Sequence, residues 1–179
     1  MKYLYVGAMG EAGREAAMAV RERVAVEFGA SVRPVDLPAA DFAYDAARRQ
    51  YASILVLEML MRACPEDALK LVAVTGRDLF IPVLSFVFGQ AQLRGRVAVV
   101  SLARLRQEFY GLAPSREILL ARAIKQALHE TGHTFGLVHC AERSCAMALA
   151  ASIRQIDSKQ AAFCASCARR LRRYPREQS

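Results

Sequence analysis

The feature that most constrains this chain is that its three histidines all lie in one eleven-residue window. The window reads His129-Glu-Thr-Gly-His-Thr-Phe-Gly-Leu-Val-His139. Residues four apart lie on one face of an α-helix, so His129 and His133 can direct ring nitrogens at one point. Gly136 can take the left-handed conformation that ends a helix sharply, and the returning chain then presents His139. The window therefore predicts a helix that ends at a metal site.

Three converging imidazoles leave the fourth tetrahedral position of a zinc ion open, which is typical of catalytic rather than structural zinc. Glu130 lies about 100° around the helix from His129, beside the metal, where a general base for a metal-bound water belongs. We therefore predict a catalytic zinc held by His129, His133 and His139, with Glu130 as the base. The alternative, a helix that carries these side chains as surface features, is disfavoured by the additional Gly136 and His139.

Four of the five cysteines follow the window closely. They form two close pairs separated by eighteen residues: Cys140 with Cys145, and Cys164 with Cys167. This spacing and the softness of thiolate ligands predict a closed, structural zinc site. The alternative is four buried thiols without metal. Cys64 lies apart, before Pro65, and we interpret it as a small buried hydrophobic residue.

The length of 179 residues suits one domain with its own core. We find no secretory signal and no stretch long enough to span a membrane. In a reducing compartment, clustered cysteines usually bind metal rather than form disulfides. We therefore expect a cytoplasmic protein without a membrane partner.

The net charge of +8 is unevenly distributed. Residues 168–179 hold five arginines against one glutamate (five minus one, a net +4): Arg169, Arg170, Arg172, Arg173 and Arg176. We interpret them as the solvated end of a helix, where cations also suit the helix dipole. A nucleic-acid binder that uses these arginines and the cysteine cluster is a further hypothesis, which basic charge alone supports weakly.

Strand-like and helix-like segments alternate along the chain, which predicts an α/β architecture. The periodicity predicts strands over 2–8, 32–37, 71–74, 84–91 and 96–102, and helices over 11–28, 44–62, 115–134 and 157–173. We expect a single domain over residues 1–179, with an N-terminal lobe over about 1–136 and a small C-terminal lobe over about 137–179.

The combined pattern resembles the archaemetzincins, a branch of the metzincin metallopeptidases. The residues that carry it are His129-Glu130-x-x-His133-x-x-Gly136-x-x-His139-Cys140-x4-Cys145-x-Met147, followed by Cys164-x-x-Cys167. The resemblance implies a catalytic zinc on His129, His133 and His139 and a general base at Glu130. It also implies a second, structural zinc on the four cysteines, and it makes Met147 the methionine of the Met-turn beneath the catalytic metal. One residue fewer separates Met147 from Cys164 than in the family pattern, which a loop can absorb.

Upstream of the window, Phe86-Val87-Phe88-Gly89 resembles the family's edge strand above the cleft. Such a strand can hold an extended peptide by backbone hydrogen bonds. The resemblance implies a metzincin-like zincin fold: a twisted mixed sheet with backing helices, a long active-site helix and a small C-terminal lobe with the four-cysteine zinc site.

We therefore expect a monomeric zinc peptidase with two zinc ions per chain, which cleaves peptide or protein substrates by a zinc-bound water with Glu130 as general base. The alternative is a catalytically weak or inactive two-zinc protein that only binds peptides. Nucleic acid is a disfavoured partner. The sequence leaves endopeptidase and aminopeptidase action open.

Overall fold

A computed structural model describes residues 2–174 of the chain. Its strands are β1 (Tyr3–Met9), β2 (Val32–Pro34), β3 (Tyr44–Asp45), β4 (Gln50–Ala52), β5 (Ala68–Thr75), β6 (Leu79–Phe80), β7 (Gly89–Ala91) and β8 (Val97–Ser101). Its α-helices are α1 (Arg14–Phe28), α2 (Ser53–Ala63), α3 (Arg116–Thr134), α4 (Ile153–Ser158) and α5 (Ala165–Arg173). The predicted mixed α/β fold class is confirmed.

The main sheet has five strands in the order β2-β1-β5-β8-β7. The first four are parallel to their neighbours, and β7 pairs antiparallel with β8 at one edge. A smaller sheet has the order β3-β4-β6. In the main sheet β7 is therefore the edge strand on the side of the histidine window, since α3 contacts both β7 and β8.

Alternate residues of the central strands pack into two separate cores because successive side chains in a strand point to opposite faces. One set packs with α1 and α3: Leu4, Val6, Val72, Val74, Ala98 and Val100. The other set packs with α2: Tyr5, Leu71, Ala73, Val97 and Val99. Helices thus cover both faces of the sheet, which explains why these strands read as nearly continuous apolar runs.

The prediction of one helix over 44–62 is wrong in its first half. Residues 44–52 form the hairpin of β3 and β4, in which Tyr44 pairs with Tyr51, and only then does α2 begin at Ser53. The turn is stabilised by Asp45, whose carboxylate accepts a hydrogen bond from the Arg48 backbone N–H, and Arg49 takes the left-handed conformation with φ 56°. Pairing of β4 with β6 then completes the small sheet.

The prediction of one helix over 157–173 is also wrong. Two helices, α4 and α5, are separated by residues 159–164, because α1 holds this stretch in a non-helical path. Glu27 accepts a hydrogen bond from the Phe163 backbone N–H at 2.8 Å, and Arg23 donates from Nε to the Ala161 carbonyl at 2.9 Å. Arg169, Arg170, Arg172 and Arg173 lie on α5, whereas Arg176 lies outside the described residues.

Two predicted strands are shorter than expected. The strand over 32–37 ends at Pro34, which has no N–H to donate to a ladder. Of the extended stretch 84–91 only residues 89–91 form a regular strand, and Val87 instead makes an isolated bridge with Leu79. None of the helices in residues 2–174 is both long and apolar enough to cross a membrane.

Candidate metal centres and cleft

The helix that carries the histidines is α3, and both of its ends follow the sequence prediction. Ser115 caps its start by accepting a hydrogen bond from the Ile118 backbone N–H at 3.3 Å. Gly136 has φ 84°, so the chain reverses just after the helix. That reversal places His139 beside His129 and His133, with ring centroids 5.3 and 5.1 Å away, respectively.

The ligand atoms of the three histidines lie within 4.8 Å of one another. His129 Nδ1 lies 2.9 Å from the Ala146 carbonyl and His133 Nδ1 lies 2.8 Å from the Leu137 carbonyl. A carbonyl oxygen only accepts, so each Nδ1 carries the proton and each neutral ring turns the lone pair of Nε2 inward. The two Nε2 atoms face each other at 3.0 Å.

Burial lowers the pKa of both His129 and His133. At His129 the nearby Lys159 cation lowers the pKa further. Neutral rings whose lone pairs converge form a set of nitrogen donors that fits a divalent cation such as zinc. The donor chemistry of this site therefore fits the expected metal.

Glu130 is buried beside the histidines on the floor of a cleft. Its Oε1 accepts a hydrogen bond from Gln126 Nε2 at 2.7 Å, and Gln126 is the only donor to this carboxylate among residues 2–174. Burial raises the pKa of Glu130 to about 8, against the opposing effects of the Gln126 hydrogen bond and the Lys159 charge. Gly89 of β7 packs directly against Glu130: a Cβ there would lie 2.8 Å from Glu130 Oε1.

The cleft has a volume of about 780 Å³ and is largely apolar. Residues 84–91 line one side, and Leu149, Ala150 and Ala151 line another. Phe86, Val87, Phe88 and Gly89 all border the cleft, and of these four only Gly89 lies in the edge strand β7. The Phe88 carbonyl accepts from the Ser101 backbone N–H at 2.8 Å, so pairing with the sheet reaches one residue further.

The four predicted cysteines form a second cluster, in which their sulfur atoms lie within 4.8 Å of one another. Cys140 follows the last histidine, Cys145 belongs to the turn that precedes Met147, and Cys164 caps the start of α5, which contains Cys167. Cys145 Sγ accepts from the backbone N–H groups of Met147 at 3.4 Å and Cys164 at 3.3 Å. All five cysteines are free, and Cys64 lies apart at the end of α2.

Four thiols this close together fit a soft metal ion. Burial raises the pKa of Cys145 and Cys167, whereas a hydrogen bond from the Cys167 backbone lowers the pKa of Cys164 to about 7. A cation among the sulfur atoms would favour the thiolate form of all four cysteines. A metal ion would supply such a positive charge, and the four sulfur donors fit a closed zinc site.

Met147 lies fully buried beneath α3. A Cβ on residue 132 would lie 2.4 Å from Met147 Sδ, so Met147 can pack this closely against α3 only because residue 132 is glycine. The Met147 carbonyl also accepts from the Cys140 backbone N–H at 3.0 Å, which connects the two clusters.

The sequence analysis did not identify Gln126 and Lys159, which line the cleft with Glu130. Gln126 could have been found, because it lies one helical turn before Glu130 on the same face. Lys159 gives no such local signal: it follows α4 and reaches the cleft only through the tertiary path of residues 146–159.

Comparison with known proteins places this geometry in a class. The model of Peptidase family M54 matches residues 12–173. The archaemetzincin of Methanocaldococcus jannaschii is 42% identical over 137 residues, 76% of this chain and 73% of that protein. The archaemetzincin of Pyrococcus furiosus is 40% identical over 152 residues, 82% of this chain and 78% of that protein.

Solved structures of related proteins match the fold of this chain. The crystal structure of archaemetzincin from Methanopyrus kandleri matches with a TM-score of 0.86 at 34% identity, covering 98% of this chain and 96% of that one. A zinc-dependent peptidase from Methanocorpusculum labreanum matches with a TM-score of 0.82 at 28% identity, covering 94% and 99% of the two chains. Fold, donor sets and matches together define a metallopeptidase. The chain belongs to the archaemetzincins, peptidase family M54, so the predicted family and enzyme class are confirmed.

Proposed function

We propose that this peptidase hydrolyses peptide bonds at a zinc ion held by His129, His133 and His139, with Glu130 as the general base. The observation that carries the proposal is the pair of Nδ1–carbonyl contacts, which turn the Nε2 atoms of His129 and His133 inward beside a buried carboxylate. A relative from Methanocorpusculum labreanum is described as a zinc-dependent peptidase. Bound zinc would supply Lewis acidity, polarising a carbonyl and lowering the pKa of a water molecule.

The chain's own residues would do the proton transfer. Gln126 holds Oε1 of Glu130, which leaves Oε2 to take a proton from the attacking water and pass it to the leaving amine. A peptide bound against the apolar walls of the cleft would displace water, which would strengthen electrostatic interactions inside it.

Substrate would bind along the sheet edge. The edge strand β7 and the adjoining Phe86, Val87 and Phe88 border the cleft, and an extended peptide could pair with this edge by backbone hydrogen bonds. Met147 would form the apolar floor of the metal site, as in the Met-turn of metzincins.

A second zinc, on Cys140, Cys145, Cys164 and Cys167, would be structural. Four sulfur donors leave no open position for substrate, and the cluster joins the turn at Met147 to helix α5. With this zinc the chain would carry two zinc ions and act as one monomeric domain over residues 1–179, divided near Gly136 into the two expected lobes. Cysteines without disulfide partners also favour a reducing compartment such as the cytoplasm.

Substitution of Glu130 tests the catalytic proposal. Zinc-loaded wild type should cleave members of a diverse peptide library, and Glu130→Ala should lower kcat by about 10²- to 10⁴-fold, the usual contribution of a general base. Elemental analysis should give two zinc ions per chain in both proteins. If zinc-loaded wild type is as inert as Glu130→Ala, the protein is the peptide-binding alternative and the catalytic proposal fails.

A further inference from the structure

Lys159 is a buried cation in the wall of the cleft. It is 4% exposed and lines the cleft beside Gln126 and Glu130. An ammonium group has three donors, and Nζ donates one long hydrogen bond, 3.3 Å, to the Ala146 carbonyl. Among residues 2–174, no carboxylate oxygen lies within 4.0 Å of Lys159 Nζ, so this cation forms no ion pair with the described part of the protein.

The one acidic side chain that lines the cleft influences Lys159 without forming an ion pair with it. Glu130 is the only carboxylate among the residues that line the cleft, and Lys159 is the only lysine or arginine there. Burial lowers the pKa of Lys159 to about 8, although the Glu130 and Cys145 charges oppose this effect. A desolvated charge with unused donors is costly unless a partner arrives.

We propose that Lys159 binds a carboxylate of the substrate and so gives this peptidase a preference for acidic peptides. The inference rests on the proposed function, because it assumes that a peptide occupies the cleft. The carboxylate could belong to a glutamate or aspartate side chain next to the scissile bond or to the free C-terminus of a short peptide. Either would approach Nζ from the cleft and fill the donors that the protein leaves unused.

A purely structural role for Lys159 makes a different prediction. The Ala146 carbonyl accepts both from Lys159 Nζ and from His129 Nδ1, so the lysine could simply hold this carbonyl in place. Loss of such a brace would slow the cleavage of every peptide alike. Loss of a carboxylate receptor would slow acidic peptides more than neutral ones.

The test compares matched peptides cleaved by wild type, Lys159→Met and Lys159→Arg. One pair of peptides exchanges glutamate for glutamine next to the scissile bond, and a second pair exchanges a free C-terminus for an amide. Wild type should prefer the acidic member of at least one pair by about ten- to hundredfold in kcat/KM, as expected for a hydrogen bond to a charged group. Lys159→Met should remove the preference, whatever common factor both members of a pair lose through the altered charge beside Glu130, and Lys159→Arg should keep the preference. The pair that shows the preference identifies the source of the carboxylate.

Lys125→Met is the matched control, because Lys125 is a lysine that donates to the Asp157 carbonyl and does not line the cleft. It should leave the acidic preference unchanged. Binding supplies a readout that needs no turnover: calorimetry should show N-acetylglutamate amide binding zinc-loaded wild type at least tenfold more tightly than N-acetylglutamine amide, and Lys159→Met should abolish the difference.

The outcomes separate the two proposals. Cleavage without acidic preference, or a Lys159→Met variant that loses the same factor on all peptides, overturns the role of Lys159 while peptidase activity stands. Acidic binding preference without any cleavage supports Lys159 and sinks the catalytic proposal.

Discussion

At the scale of single residues, the chemistry centres on the environment of the Glu130 carboxylate. Gln126 donates to one of its oxygens from the preceding helical turn, and Gly89 abuts it from the sheet edge. Both neighbours restrict where the carboxylate can lie, and burial gives it a pKa of about 8. If Glu130 acts as the proposed general base, a carboxylate held in this way loses little conformational freedom when it reaches the geometry of proton transfer.

A side chain at residue 89 should therefore disturb catalysis without touching the metal ligands. In Gly89→Ala the new Cβ would lie 2.8 Å from Glu130 Cγ and 2.7 Å from the Val99 carbonyl, so the carboxylate and the strand must both shift. We expect kcat to fall by about 10²-fold, the scale of a misplacement of about 1 Å, and the free energy of unfolding to fall by about 1–3 kcal/mol. Peptide assays, elemental analysis and denaturant unfolding measure these effects; zinc content should not change, and full activity would contradict the close approach.

The residues that could be predicted from the sequence are those with a local spacing. His129, Glu130 and His133 share one helix, and the glycine that ends it makes the position of His139 predictable as well. Lys159 could not be predicted in this way, because only tertiary packing of the segment after Met147 brings it to the cleft.

At the scale of elements, helix α3 depends on contacts at its far end. Lys70 of β5 is buried, and its Nζ donates at 2.7 Å to the Thr134 carbonyl at the end of α3 and at 2.7 Å to the Gly95 carbonyl. It also donates to the Tyr174 hydroxyl at 2.9 Å, just beyond α5. One side chain thus satisfies a terminal carbonyl of α3 and also connects that helix end to Gly95 and Tyr174.

The burial of Lys70 should make the free energy of unfolding depend on pH in the alkaline range. Burial lowers the pKa of Lys70 below its ordinary 10.5, so between the lowered value and 10.5 the unfolded chain binds more protons than the folded one. The contribution of Lys70 to the free energy of unfolding should therefore rise as pH increases through that window, because stability rises with pH wherever the unfolded state binds more protons. Urea unfolding from pH 8 to 10.5 measures the difference in the free energy of unfolding between wild type and Lys70→Met. A difference that stays flat or falls with pH would contradict the sign. Arg62→Met, at an exposed cation of α2, corrects for the loss of a charged side chain.

Helices and strands could be predicted where their sequence signals are local. The predictions were wrong where tertiary contacts determine the secondary structure. The apolar periodicity, Ser115 and Gly136 predict α3 almost to the residue. Over 44–52 the apolar pattern also suits a helix, but pairing of β4 with Leu79 and Phe80 favours a hairpin. Over 159–164 the path is decided by a hydrogen bond that Arg23 donates and one that Glu27 accepts, and both residues lie over 130 residues earlier.

At the scale of the whole molecule, the C-terminal segment is fastened to earlier elements at several points. Arg122 of α3 makes two hydrogen bonds of 2.7 Å to Asp157. Glu27 of α1 holds Phe163, whose ring also packs edge-on against Phe28 at 5.5 Å. The four cysteines belong to this C-terminal segment. Because Cys140 follows His139 directly, the position of the cysteine cluster also affects the position of the histidine ligands.

Loss of one cysteine ligand should therefore affect both metal sites. In Cys167→Ser we expect the structural zinc to be lost or weakly held, and the melting temperature to fall by roughly 10 °C, because metal binding free energy at such a site is folding free energy. Zinc at the histidine site should also bind more weakly, since Met147 and His139 lose their fixed neighbour at Cys140. Elemental analysis, zinc titration and thermal unfolding measure the three effects.

Cys64→Ser is the matched control, because Cys64 is a free cysteine outside the cluster. It should retain two zinc ions and melt within a few degrees of wild type. If Cys167→Ser keeps both zinc ions and the wild-type melting temperature, the cysteine cluster is not a zinc site. If it loses only the structural zinc and the histidine site binds zinc as tightly as before, the two sites are independent, and the hydrogen bonds from α1 and α3 alone suffice to hold His139 in place.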